Sequence, residues 1–77
     1  MVRLIEAIVK PLVDHPEDVR VETREDDNRI TFLLSVHEKD IGKVIGKQGR
    51  TAKAIRTILY SYAHTRTNKK VYLEILD

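Results

Sequence analysis

Hydrophobic residues recur along the chain with two different periods. Over residues 3–13 they lie three and four positions apart, which predicts an amphipathic helix that Pro11 would end or kink in its last turn. Residues 19–25 and 71–76 instead alternate residue by residue, a pattern typical of half-buried strands. The apolar face of the predicted helix consists of Leu4, Ile5, Ile8, Val9 and Leu12.

The most apolar segment, residues 29–36, has hydrophobic side chains on both of its faces. Ile30 and Phe32 face one way, and Leu33 faces the other. Because a strand that is apolar on both sides is usually covered on both sides, we expect it in the middle of a sheet. The polar residues at 26–28 tolerate positive φ and predict a tight hairpin with the preceding strand.

Two further helices are predicted around a glycine-containing turn. Asp40 can cap a short helix over 41–45, and Gly46 stops it. A long helix then runs from Arg50 to about Ala63. A helical wheel gathers its apolar side chains on one face, namely Ala52, Ile55, Ile58, Leu59 and Tyr62.

The predicted element order is α-β-β-α-α-β, in one domain over residues 1–77. A short turn joins the first two strands, so they must be antiparallel neighbours. The last strand returns after a two-helix crossover, which suits parallel pairing with the central strand. We therefore expect an α+β domain in which helices cover one face of a three-stranded mixed sheet.

Positive charge is concentrated in the second half of the chain. The net charge of +2 combines −4 over residues 1–38, +8 over residues 39–70 and −2 over residues 71–77. A half this basic, centred on the glycine turn, favours a polyanionic partner over an ordinary solvated face.

The turn itself reads Val44-Ile45-Gly46-Lys47-Gln48-Gly49-Arg50. Gly46 can end the short helix in the left-handed conformation, and Gly49 allows a second backbone to pass close to the start of the next helix. That start has unpaired N–H groups and a positive dipole end, both of which suit a phosphate. The turn is therefore interpreted as a phosphate clamp.

With Ile41, Gly42 and Lys43 before it and Ile55 after it, this turn resembles the Gly-x-x-Gly signature of KH domains. The whole chain is similar to the bacterial-type (type II) KH arrangement, and to the small stand-alone KH proteins of the KhpA family. The resemblance implies binding of single-stranded RNA through the Gly-x-x-Gly loop with low sequence specificity, as an RNA chaperone or post-transcriptional regulator. It also implies a homodimer, or a heterodimer with a second KH-containing protein of the KhpB or Jag family.

Candidate RNA-binding residues follow from the turn and its basic flanks: Lys43, Gly46, Lys47, Gln48, Gly49, Arg50 and Lys53. A short helix has a single core face, so Ile41, Val44 and Ile45 are too many apolar residues for it. Some of them are expected to floor a groove beneath the bases, although all three could pack inward. Arg66, Lys69 and Lys70, in the loop before the last strand, could close the other rim of the groove.

Several classes of function are excluded or disfavoured. The chain has no cysteine and only three scattered histidines, so we expect no metal site, no cofactor and no enzyme activity. No apolar run reaches the length of a membrane span, and the expected location is the cytoplasm. Phe32 and Tyr62 are assigned to the core and Tyr60 and Tyr72 to the surface, too few exposed rings for a stacking platform.

Two alternative functions remain open at the level of sequence. Two helices around a glycine turn also describe a helix-turn-helix, in which Arg50, Lys53 and Arg56 would enter the major groove of duplex DNA. The basic half could also bind an acidic protein, which would make the chain a protein-interaction adaptor. RNA targets, base preference and oligomeric state are not specified by the sequence, and self-association through the helix face bearing Tyr60 is a further hypothesis.

Overall fold

The computed structural model describes residues 1–76, and Asp77, the last residue of the predicted domain, lies outside the described residues. The first helix, α1, spans Val2–Val9 and continues as a 3₁₀ turn over Lys10–Leu12 that contains Pro11. The α-helix thus ends at Val9, just before the turn that contains Pro11, as expected because proline lacks an N–H donor. Leu12 is 41% exposed, so its assignment to the core is wrong, and Val13 is buried instead.

The sheet has three strands: β1 at Arg20–Glu25, β2 at Arg29–Ser35 and β3 at Lys70–Ile75. Strand β2 is central, antiparallel to β1 and parallel to β3, which confirms the predicted topology. Its two-sided apolar character is also confirmed, because Leu33 is buried on the face opposite Ile30 and Phe32.

The predicted β1–β2 hairpin is confirmed, and it closes without any residue at positive φ. The Asp26 carboxylate accepts the backbone amides of Asn28 and Arg29, each at 2.8 Å, and forms an Asx-type turn. These two hydrogen bonds hold the pKa of Asp26 below its ordinary value, and the bond from Asn28 has the larger effect. A side chain thereby supplies the turn geometry that a left-handed backbone would otherwise provide.

Helix α2 spans Ile41–Ile45 and helix α3 spans Arg50–His64, close to the predicted bounds. Helices α1 and α3 pack on the same face of the sheet, and the core lies between them and the strands. The core consists of Ile5, Val9, Val13, Val19, Ile30, Phe32, Leu34, Val44, Ile55, Leu59 and Leu73.

The buried face of α3 differs from the predicted apolar face. The helix buries Ala52, Ile55, Leu59 and Ala63, which follow one another at spacings of three and four. Ile58 is 48% exposed and Tyr62 is 37% exposed, so their assignment to the core is wrong. Because α3 packs against α1, α2 and β3 through this stripe, the neighbouring apolar residues remain on the surface.

Candidate nucleic-acid interface

The turn between α2 and α3 has an unusual backbone. Gly46 has φ 76° and ψ 176°, and Gly49 has φ 75° and ψ 14°. Gln48 between them has φ 56°, and among residues 1–76 it is the only non-glycine residue with positive φ. The left-handed helical conformation expected at Gly46 thus occurs at Gln48 and Gly49, while Gly46 combines positive φ with an extended ψ.

The close backbone approach expected at Gly49 occurs at Gly46 instead. A Cβ atom on Gly46 would lie 2.2 Å from Oγ1 and 2.9 Å from the backbone nitrogen of Thr51. A Cβ atom on Gly49 would meet no protein atom within 4 Å. Thr51 therefore packs directly against Gly46, and the space beside Gly49 is free. The role of Thr51 has no signal in the sequence, because a threonine in the first turn of a helix is not distinctive.

The tip of the turn is exposed and cationic. Hydrogen bonds from the amide of Gly46 to the carbonyl of Gly42, at 2.8 Å, and from Gly49 to Gly46, at 3.2 Å, close the turn. The amides of Lys47 and Gln48 take no part in these two bonds. Both side chains are exposed, as are those of Arg50 and Lys53 on the first turn of α3. The Arg50 guanidinium lies 3.5 Å from Oε1 of Gln48, so the structure brings these predicted residues together.

Lys43, one turn before the tip, differs from the other predicted cations. Its ammonium group pairs with the carboxylate of Asp14 and lies 3.9 Å from Oδ1 of Asp40. The hydrogen bond to Asp14, together with the charges of Asp14 and Asp40, raises the pKa of Lys43 in spite of partial desolvation. Lys43 is thus a member of an ion-pair cluster, whereas Lys47, Arg50 and Lys53 form no ion pair among residues 1–76.

Asp40 stands at the N-cap of α2, but its side chain does not cap the helix, so that prediction is wrong. The fully buried carboxylate instead accepts the amides of Asp14, at 3.2 Å, and His15, at 2.9 Å, and contacts Nδ1 of His15 at 3.1 Å. Burial would raise the pKa of Asp40, but these hydrogen bonds outweigh burial and lower it. The Asp40 carboxylate fastens the segment after α1 to the beginning of α2.

The expected groove floor is reduced to two residues. Val44 is fully buried and belongs to the core, so it cannot contact a ligand, and its assignment to the floor is wrong. Ile41 and Ile45 are half-buried. Because α2 has only five residues, one side chain turns inward while its neighbours remain partly accessible at the helix surface.

Arg66, Lys69 and Lys70 lie at the opposite end of α3 from the turn. A helix of 15 residues separates the two ends by about 22 Å. The Lys69 ammonium pairs with Glu25 at 2.6 Å, and the Arg66 guanidinium lies 4.4 Å from the centre of the Tyr62 ring. Two of these cations thus interact within the protein, and their closing of the other rim of the groove stays a prediction.

Within residues 1–76, no group of three His, Asp or Glu side chains is arranged to hold a metal ion. The helices described there are all too short or too polar to cross a bilayer.

Comparison with known proteins agrees with this architecture. The structure of Era in complex with MgGDPNP and nucleotides 1506–1542 of 16S ribosomal RNA aligns with a TM-score of 0.72 at 20% identity. The alignment covers 94% of this chain and 28% of Era, and at this identity it shows a shared fold alone.

Closer relatives match over nearly their whole length. The RNA-binding protein KhpA of Listeria monocytogenes is 54% identical over 77 residues, which is 100% of both chains. The RNA-binding protein KhpA of Bacillus subtilis is 60% identical over 74 residues, 96% of this chain and 90% of that protein. The family model described as "KhpA/KhpB, KH domain" matches residues 2–75. The chain, with its type II KH fold, therefore belongs to the KhpA/KhpB family of KH domains.

Proposed function

We propose that this protein binds single-stranded RNA with low sequence specificity through the turn at residues 46–49. It would act as an RNA chaperone or post-transcriptional regulator in the cytoplasm. The observation that carries the proposal is the exposed tip of the turn, where positive φ values at Gly46, Gln48 and Gly49 bend the backbone between two helices. The tip combines the backbone amides of Lys47 and Gln48, which take no part in closing the turn, with the positive charges of Lys47, Arg50 and Lys53. This combination suits the phosphates of a single strand.

Low specificity follows from what surrounds the turn. No aromatic side chain lies in residues 38–59, so no ring near the tip can stack on a base. Backbone amides and cations would contact the sugar–phosphate backbone, which is the same in every RNA sequence. Ile41 and Ile45 supply the remaining accessible apolar surface beside the tip, and Lys43 contributes only when it leaves Asp14.

A charge reversal at the tip tests the site. The double substitution Lys47→Asp and Gln48→Asp should weaken binding of an unstructured oligoribonucleotide at least about tenfold, because two carboxylates would face the phosphates. Aspartate tolerates the positive φ of position 48, so the fold should survive. Fluorescence anisotropy measures the affinity. With about three phosphates contacted, the wild-type affinity should fall with a log–log salt slope of about −2.

The matched control carries the same change of charge elsewhere. Arg3→Asp with Ala7→Asp places two carboxylates on the exposed side of α1, where the proposed interface has no residue. This variant should bind RNA within about twofold of the wild type. Equal affinities for the tip variant and the wild type would show that RNA binds elsewhere.

The structure weakens the duplex-DNA alternative, whereas the adaptor alternative depends on experiment. Helix α2 has only five residues, and the Arg56 side chain donates from Nε to the Leu73 carbonyl at 3.1 Å instead of projecting toward a ligand. Duplex DNA should therefore compete poorly with oligoribonucleotides, and efficient displacement by duplex would favour the helix-turn-helix function. Partner proteins that remain bound after RNase digestion would favour the adaptor function.

We also propose that the protein pairs with a second KH chain through the exposed side of α3. Ile58 and Tyr62, four residues apart on the same side of the helix, are apolar and exposed. Tyr60 is a weaker candidate than the sequence suggested, because its hydroxyl accepts the Leu73 amide at 3.2 Å and is thereby directed to β3. The simplest partner for this surface is a second copy of this chain, and the alternative partner is a KhpB or Jag protein.

A further inference from the structure

A second group of polar and aromatic residues lies at the end of the molecule away from the glycine turn. Asn28, Arg29, Asn68, Lys70 and Tyr72 line a surface cleft of about 450 Å³, named here the Tyr72 cleft. It joins a cleft of about 460 Å³ between the end of α3 and the start of β3, because Asn68, Lys70 and Tyr72 line both. The proposed function uses none of these residues.

The Tyr72 ring lies on the open face of the sheet. Side chains of β3 alternate between the two faces, and the buried Leu73 belongs to the face covered by helices. Tyr72 is consequently directed away from the core and is 42% exposed. Its cross-strand partner on β2 is Thr31, a small residue that leaves the ring accessible.

Cations surround this ring on the open face. Lys70 precedes Tyr72 by two residues and pairs in register with Arg29 on β2, while Arg24 on β1 pairs with Thr31. The guanidinium of Arg29 lies 3.8 Å from the carboxylate of Asp26, and that of Arg24 lies 3.5 Å from Glu22, all at exposed positions. Lys70 has no ion-pair partner among residues 1–76. Glu74 is the one acidic neighbour of Tyr72 on the same face of β3.

This combination matches a nucleotide better than a peptide. An accessible ring can stack on a base, the two asparagine amides can bond its edge, and Lys70 and Arg29 can contact phosphates. An added peptide strand would need the free edge of β3. At Leu73 that edge is occupied, because the amide donates to Tyr60 and the carbonyl accepts from Arg56.

From these contacts we infer that the Tyr72 cleft is a second contact site for single-stranded RNA, in which one base stacks on Tyr72 beside Lys70 and Arg29. The inference rests on the proposed function. A Gly-x-x-Gly loop holds about four nucleotides, and α3, which is about 22 Å long, leads from the turn to the loop that lines the cleft. Only a longer strand can therefore occupy both sites.

Two substitutions at one position and two lengths of RNA test the inference. Tyr72→Leu keeps an apolar side chain in β3 but removes the ring, whereas Tyr72→Phe keeps the ring. Tyr72→Leu should weaken binding of an oligouridylate of about 12 nucleotides roughly tenfold, and Tyr72→Phe should stay within about twofold. Binding of a tetranucleotide should be the same in all three proteins. Lys70→Gln should also lower the salt slope for the longer strand by about one.

Each outcome separates the second site from the proposed function. Unchanged affinity of Tyr72→Leu for the longer strand would overturn the second site and leave binding at the turn intact. An equal loss with the tetranucleotide would also overturn it, because Tyr72 would then act through the primary site or the fold. Displacement of the longer strand from the cleft by a polyglutamate peptide would assign the cleft to acidic proteins instead. Failure of the wild type to bind either RNA would reject the proposed function itself.

Discussion

Two glycines in one turn have different physical requirements. At Gly46 a side chain is excluded by the protein itself, because its Cβ would lie 2.2 Å from the Thr51 hydroxyl. At Gly49 the protein leaves open space, and only the positive φ of 75° favours glycine. Gln48, with φ 56°, shows that this turn holds a side-chain-bearing residue in the left-handed region.

Alanine substitutions should therefore separate folding from binding. Gly46→Ala should lower the free energy of unfolding by about 2 kcal/mol or more, through steric overlap added to backbone strain. Gly49→Ala should lower it by only about 1 to 2 kcal/mol, the cost of the left-handed backbone. Urea denaturation measures both. If RNA passes close to Gly49, Gly49→Ala should lose most of its affinity while remaining folded, and undiminished affinity would remove Gly49 from the interface.

At the scale of elements, one buried carboxylate joins the segment after α1 to the helix before the glycine turn. Asp40 accepts two backbone amides from residues 14 and 15, and the adjacent Lys43 pairs with Asp14. The rings of His15 and His37 stack beside it with centroids 4.0 Å apart. These contacts hold the beginning of α2, while its packing against α3 and the buried Val44 hold the rest of this five-residue helix.

This junction predicts a dependence of stability on pH. The folded-state pKa of Asp40 lies below its ordinary value of 3.8, so its contribution to stability is present above about pH 4 to 5 and is lost as pH falls through the folded-state pKa. The pKa of Asp26 is also lowered, so its contribution to stability is likewise lost on acidification. Asp40→Asn should be less stable than the wild type at pH 7 and lose less stability on acidification. Urea denaturation at several pH values measures this, and parallel acid profiles would contradict it.

For the molecule as a whole, the surfaces with proposed roles are widely separated. The glycine turn lies at one end of α3, the Tyr72 cleft at the other, and Ile58 and Tyr62 are exposed between them. A single helix thus sets the distances between the proposed RNA contacts and the proposed surface for a second chain. The positive charge of residues 39–70 is divided between the two ends, because Lys47, Arg50 and Lys53 precede the middle of α3 and Lys69 and Lys70 follow its end.

Association through α3 is expected to depend on Ile58. Light scattering after size exclusion should show a mass that rises toward two chains with concentration, because pairing would bury this exposed side chain. Ile58→Asp should remain a single chain, since pairing would then bury a charge. Ala7→Asp, an equal charge on the exposed side of α1, should behave as the wild type. A wild type that stays monomeric but binds a KhpB or Jag protein would identify a heterodimer.

The sequence by itself determined the elements and their order. These features depend on residues that are close together in the sequence, namely the local periodicity, the positions of proline and glycine, and the length of each connection. They were therefore enough to predict α1, the hairpin, the parallel return of β3 and the turn at 46–49. The resemblance to the KH family depended on the Gly-x-x-Gly turn together with its basic flanks and the order of the elements around it, and the match of the family model over residues 2–75 confirms it. The bounds of the elements shifted by a few residues at most, except where the 3₁₀ turn replaces the end of the first helix.

Only the tertiary structure decided which residues of these elements are accessible. A helical wheel groups the apolar residues of α3, but packing against the neighbouring elements leaves Ala63 buried and Ile58 and Tyr62 exposed. The side chains of Asp40 and Lys43 form hydrogen bonds with residues 25 to 29 positions away in the sequence, and such contacts produce no pattern among neighbouring residues. Burial, ion pairing and the distance between the two ends of α3 arise from packing between remote segments, which the sequence pattern does not encode.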